Sequence, residues 1–180
     1  MACDVSKGKI SLQCKDAVSG IKAIYVANYN EYGFQTSSTE SGHELLDLGT
    51  LTDVFKYTLK NSANTYEQTI NSSRDNGTTF YTQVINFTLT KMSSEMEFQL
   101  KMMALGRPII FVEGNNGSIV LIGKDNGCEV AGKGTIGGTF DSLNGYQLTG
   151  TANEQEPAWF LQEDVITQLK ALVSTDNIAG

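Results

Sequence analysis

Apolar and polar residues alternate along much of the chain with a period of two, the spacing of a β-strand whose side chains face opposite sides in turn. Residues 9–14 alternate in this way. Residues 54–60 do so cleanly, with Phe55, Tyr57 and Leu59 on one face and Lys56, Thr58 and Lys60 on the other. Residues 21–29 (IKAIYVANY) form a more continuous apolar run and predict a buried strand. Residues 80–89 predict a long strand with Tyr81, Ile85, Phe87 and Leu89 on one side. Five short strands follow at 109–113, 118–122, 128–131, 135–140 and 146–152, the regular spacing of a sandwich or barrel. Residues 30–43 read as a polar loop. Residues 61–79 are also hydrophilic apart from Tyr66 and Ile70, so 54–89 predict a long hairpin whose distal half is polar.

Turn signals separate the strands: Asp75-Asn76-Gly77, Asn115-Asn116-Gly117, Asp125-Asn126-Gly127 and Asn144-Gly145. Asn-Gly supplies the two positive φ values of a type I′ hairpin turn, so antiparallel hairpins are expected. The period changes to that of a helix at residues 94–104. Ser94 and Glu97 fit a capping box there, Glu95 and Glu97 suit the positive end, and Lys101 and Arg107 suit the other. Met96, Leu100 and Met103 share one face, read as core packing, and Gly106 and Pro108 end the helix. After the apolar patch 158–161 a second helix is expected over 164–173, with Val165, Leu169 and Leu172 on one side, and then a tail from Ser174. The predicted fold is mainly β: an antiparallel sandwich or barrel over residues 1–161 with one packed helix, then a C-terminal helix and tail over 162–180.

Composition adds exclusions. The chain has 180 residues, 40% of them hydrophobic and 18% charged, which suits one globular domain with a real core. Its net charge of −7 is wrong for gripping phosphate backbones. No basic, then apolar leader is evident, and no apolar run of about 18 residues predicts a membrane helix. Cys3, Cys14 and Cys128 are odd in number and far apart, which reads as reduced thiols. The sequons at Asn71, Asn76, Asn86 and Asn116 read as by-products of an Asn-, Ser- and Thr-rich chain.

Candidate chemistry is sparse. His43 is the only histidine and stands in Ser41-Gly42-His43-Glu44, without a nucleophile elbow. There is no C-x-x-C and no second histidine for zinc. Asp125, Asn126, Glu154, Glu156, Glu163 and Asp164 lack the spacing of a calcium loop and read as turn chemistry and solvated charge. Gly127–Lys133 fits G-x-x-x-x-G-K, but Gly134 replaces the magnesium-binding hydroxyl and the glycines that follow forbid a helix. No catalytic residue, metal or cofactor is expected, and a structural or binding protein is favoured over an enzyme.

Several segments together resemble virion proteins of tailed bacteriophages, of the tail-tube or major-tail-protein type. Met1-Ala2-Cys3, Cys14-Lys15-Asp16, Gly20-Ile21-Lys22 and Ile24-Tyr25 are similar to that family's start, and Asp75-Asn76-Gly77-Thr78 with Phe80-Tyr81 to its central hairpin. Gly123-Lys124-Asp125-Asn126-Gly127, Asn144-Gly145-Tyr146, Leu148-Thr149 and Glu156-Pro157-Ala158 are similar to its closing hairpins. The resemblance spans most of residues 1–161 and implies subunits that form rings, often sixfold, stacked into a tube through which DNA passes. It implies a virion location, assembly in the bacterial cytoplasm, and other tail or connector proteins as partners. The polar arm 61–79, with Tyr66, Ile70, Arg74 and Asp75, is expected to reach a neighbouring subunit. The acidic balance is expected to keep the bore from sticking to DNA. A capsid decoration, connector or ring role is the nearest alternative. A carbohydrate-binding sandwich using Tyr25, Tyr29, Tyr32 and Trp159 is the alternative of another class.

Overall fold

A computed structural model describes residues 18–39, 42–59 and 63–174. The strand expected at 9–14 and the tail after Ser174 lie outside these residues. Eleven strands and two helices are described: β1 (Ile21–Ala27), β2 (Gln35–Thr39), β3 (Gly42–Asp47), β4 (Phe55–Thr58), β5 (Thr65–Ser73), β6 (Thr78–Thr90), α1 (Ser94–Gly106), β7 (Ile109–Gly114), β8 (Ile119–Ile122), β9 (Glu129–Ile136), β10 (Asn144–Glu154), β11 (Trp159–Leu161) and α2 (Glu163–Ala171). They build two sheets, of seven strands in the order β2-β3-β11-β8-β7-β1-β4 and of four in the order β5-β6-β10-β9. The protein is a β-sandwich with a packed helix and a short C-terminal helix.

Two cores explain the two kinds of strand pattern. The first lies between the sheets and holds Ile24, Val26, Ile110, Val112 and Ile122 from one side and Ile85, Phe87, Leu89 and Leu148 from the other. The second lies on the far side of the seven-stranded sheet, where Tyr25, Phe111, Ile119, Leu121 and Trp159 meet Val165 and Leu169 of α2. β1, β7 and β8 are thus buried on both faces, which is why they read as unbroken apolar runs. β6 and β10 are buried on one face only and alternate. Each fully buried Leu, Ile or Phe contributes roughly 1.5–3 kcal/mol.

α1 carries the chain from the small sheet to the large one. Met103 is buried and Met96 and Leu100 pack against the first core, as the helical spacing predicts. Its cap lies one residue earlier than expected: Ser93 Oγ accepts a hydrogen bond from Met96 N at 3.1 Å, so Ser94 and Glu97 form no capping box. No basic side chain lies in its last turn; Arg107 is the C-cap, with a left-handed φ of 46°.

Pairing departs from the sequence expectation in several places. Residues 54–60 do not form a hairpin with 80–89. β4 pairs with β1 in the other sheet, and the partner of β6 is β5, within the stretch read as polar. The loop expected at 30–43 contains β2 and the start of β3. The strand expected at 135–140 ends at Ile136, and Asn144-Gly145 is no turn: both pair within β10, and the connection is made by residues 137–143. The remaining Asn-Gly turns are not type I′. Only Gly77, Gly117 and Gly127 have positive φ, of 62°, 86° and 72°, while the preceding asparagines do not. Longer loops closed by one left-handed glycine replace the two-residue turn.

Candidate assembly surface

The four-stranded sheet turns one face to the first core and the other away from it. Residues directly opposite in antiparallel strands share a face, so the register assigns the outward one. It carries Thr65, Glu67, Thr69 and Asn71 from β5, Phe80, Thr82, Val84, Asn86 and Thr88 from β6, Gln147, Thr149, Thr151 and Asn153 from β10, and Glu129, Ala131 and Lys133 from β9. Hydroxyl and amide groups dominate. Two rows of them link the strands sideways. Asn71 Nδ2 donates to Thr82 Oγ1 and Thr82 Oγ1 to Asn153 Oδ1, both at 2.9 Å. Asn86 Nδ2 donates to Thr65 Oγ1 at 3.2 Å and accepts at Oδ1 from Thr149 Oγ1 at 2.7 Å.

Among the described residues the only charged side chains on that face are Glu67, Glu129 and Lys133. The acidic excess therefore lies elsewhere, and the face is nearly neutral. Neither margin of the sheet has a further strand among the described residues, and α1 lies beside β9. β5 and β9 are each paired on one side only among the described residues. Such edges present unpaired N–H and C=O groups, a template for another strand.

The β5–β6 hairpin runs past the end of β10 by three register pairs, Asn71↔Phe80, Ser72↔Thr79 and Ser73↔Thr78. It divides the four residues expected at a subunit contact. Tyr66 packs against the first core, and burial pushes its hydroxyl pKa up to about 12. Ile70 is 64% exposed on the same side of the hairpin, opposite Tyr81. Arg74 and Asp75 are exposed in the turn. The distal three are open to a neighbour; Tyr66 is the root of the arm.

Exposed apolar groups recur elsewhere. On α1, Phe98, Met102 and Leu105 form a second stripe at i, i+4 and i+7, with Leu105 72% exposed. Its spacing is in the sequence, but the methionine face suffices to seat the helix and draws attention from it. Ile136 and Phe140 stand out at the β9–β10 connection. A monomer seldom leaves so many large apolar groups in water without a use for them.

Two buried carboxylates serve the structure. Glu113, 2% exposed, accepts from Tyr25 Oη at 2.7 Å and pairs with Lys170 of α2 at 2.9 Å and with Lys22 at 3.8 Å. Burial alone pushes its pKa up, but the Tyr25 and Lys170 hydrogen bonds and the two lysine charges outweigh burial and hold it below normal. Glu154, 4% exposed, accepts at Oε1 from the N–H groups of Asp125 and Asn126 at 3.2 and 2.9 Å and so fixes that turn. Burial pushes its pKa up, and among the described residues Oε2 has no hydrogen-bond partner.

His43 stacks on Trp159 with ring centroids 3.4 Å apart. Its Nε2 lies 3.0 Å from the Pro157 carbonyl and so carries the hydrogen, leaving Nδ1 to accept from Ser38 Oγ at 3.0 Å. This fastens β2 and β3 to β11. Residues 127–133 run from a turn into β9, not into a helix. Among the described residues no three His, Cys, Asp or Glu side chains are arranged to hold a metal ion. No described helix is long and apolar enough to cross a membrane. Of the aromatics considered for sugar stacking, Tyr25 and Trp159 are buried, whereas Tyr29 and Tyr32 border a hollow with Phe34.

The chain matches no protein-family model, no curated protein and no solved structure.

Proposed function

We propose that this protein is a structural subunit of a phage virion that assembles into rings, stacked as a tail tube, around a channel for DNA. The observation that carries the reading is the four-stranded sheet, without a further strand at either edge among the described residues and lined outward mainly by hydroxyl and amide groups. Pairing β9 of one copy with β5 of the next would continue the sheet around a ring. One patch then meets a different patch, a heterologous contact that closes when the rotation allows. The resemblance of the sequence to tail-tube proteins points the same way and suggests six copies per ring.

The outward face suits a bore. DNA adheres through Lys and Arg that displace its counterions, and each copy offers one lysine there against two glutamates. DNA would meet a hydrated neutral wall and slide. The arm, the outer stripe of α1 and Phe140 would be covered by neighbouring copies or other tail and connector proteins.

Electron microscopy of the concentrated protein, with its mass in solution, tests the reading. Rings or tubes with a central hole are expected. A particle that stays monomeric at every concentration, with or without tail partners, would remove it.

A further inference from the structure

The molecule carries a knob at one end and a hollow at the other. The knob is Phe140, fully exposed at the tip of residues 137–143. Its loop is braced: Gly137 N donates to Leu143 O at 2.9 Å, Ser142 N to Thr139 O at 3.1 Å, and Thr139 Oγ1 to Asp141 Oδ1 at 2.6 Å. A phenyl ring held out on an ordered loop remains in water unless another surface covers it.

The hollow, of about 400 Å³, lies between Tyr29, Tyr32 and Phe34 on one side and Lys124 and Asp125 on the other. It is preformed. Tyr29 Oη donates to the Asp125 carbonyl and Tyr32 Oη to the Asn28 carbonyl, both at 2.6 Å. Phe34 stands edge-on to Phe111 of the second core at 6.4 Å. The Tyr32 carbonyl is held by Thr50 N at 2.8 Å, an approach that Gly49 permits, since a Cβ there would meet that oxygen at 1.9 Å.

The two features lie at opposite ends of β10. The knob precedes Asn144, and Asp125 beside the hollow is bonded to Glu154. Ten steps along a strand separate them by about 34 Å. The charged lining of the hollow is mixed, Glu31 and Asp125 against Lys124, so the fit rests on the aromatic groups.

We infer that Phe140 of one copy seats in the Tyr29–Tyr32–Phe34 hollow of a second copy, stacking copies end to end along the strands of the small sheet. Aromatic rings pack edge-to-face or offset and bury large apolar areas, so one such anchor can dominate a contact. Knob and hollow are different patches at opposite ends, so the contact repeats without closing. The inference rests on the ring reading and adds what would join ring to ring.

The test compares wild type with Phe140→Asp at the knob and with Asn30→Trp, where Asn30 also lines the hollow and the indole would fill it. Stacking is read by electron microscopy and sedimentation, and folding by thermal melting. The expected result is single rings with at least about a tenfold loss of stacked species, at unchanged melting temperature, in both variants. Stacks of Phe140→Asp as long as wild type would overturn the inference and leave the ring reading intact.

A second measurement decides the contact even if wild type forms no ring, which would count against the ring reading alone. With Cys3 and Cys14 replaced by serine, a Phe140→Cys chain is mixed with an Asn30→Cys chain under oxidation. Disulfide formation at least about tenfold above that with a Lys101→Cys control chain supports the contact. A yield equal to the control overturns it, as does a hollow that takes up a free glycan while the copies remain unlinked.

Discussion

Glu154 closes the Asp125–Asn126 turn with one carboxylate oxygen and leaves the other without a hydrogen-bond partner among the described residues. Its raised pKa means that the folded chain holds this proton more tightly than the unfolded chain. Stability therefore falls as pH rises from the ordinary carboxyl value of 4.5 through the raised one, and is flat above it. Glu154→Gln keeps an oxygen for the two N–H groups and removes the charge. It is expected to melt higher than wild type at pH 8, with the gap closing near pH 4; no gap at pH 8 would show that water reaches the carboxylate.

Glu113 has the opposite sign. Its lowered pKa contributes stability above 4.5 that is lost as pH falls through the lowered value. Glu113→Ala strands the Tyr25 hydroxyl in the second core and frees Lys170. It should cost about 2 kcal/mol at pH 7, measured by urea unfolding, and less in acid. Cys128 is fully buried, and burial, with the nearby Glu154 charge, pushes its thiol pKa up to about 12. With Cys3 and Cys14 replaced by serine, it is expected to react with a thiol reagent at pH 8 only as fast as the protein unfolds.

Among the elements, the β5–β6 arm is the one whose form a monomer does not require. Its last three register pairs lie beyond β10, and Ile70, level with the last residue of β10, is exposed. Replacing residues 71–80 by a short Asn-Gly turn should shift the melting midpoint by less than about 4 °C, because little apolar area is lost, yet abolish ring formation. Rings formed by the shortened chain would confine assembly to the sheet edges.

The same element marks where sequence pattern runs out. Alternation locates β6 and β10 because each has one buried face, and unbroken apolar runs locate β1, β7 and β8 because each has two. Pattern says nothing of partners. Residues 54–60 and 80–89 alternate equally well, but β5, whose outward face is Thr65, Glu67, Thr69 and Asn71, is the strand that pairs with β6. β2 (QTSST) has no apolar residue and is held at the edge by β3 alone. Three residues suffice for β11, because β3 and β8 flank it. The hydroxyl and amide face is invisible in the sequence for the same reason: it exists only once four separate segments are in register.

At the scale of the whole molecule, the two proposed directions of assembly would be at right angles. Edge pairing between β5 and β9 would run across the strands, and the Phe140 contact along them. Together they would generate a tube whose wall is the four-stranded sheet. If its outward face is the bore, the near neutrality of that face is what lets DNA pass, and adding charge there must change it. Thr69 and Gln147 are exposed on that face. Thr69→Lys with Gln147→Lys takes the face from −1 (one lysine less two glutamates) to +1 per copy and, repeated around a ring, makes a basic belt. Duplex DNA present during assembly should then be retained at about 50 mM salt and released steeply toward about 200 mM, as counterion release requires, whereas wild type retains none at either. Gln99→Lys with Gln168→Lys adds the same charge on the two helices, away from the sheet. Retention by both variants alike would reflect net charge and refute the bore; retention by the sheet variant alone, and only once rings have formed, is the outcome the geometry requires.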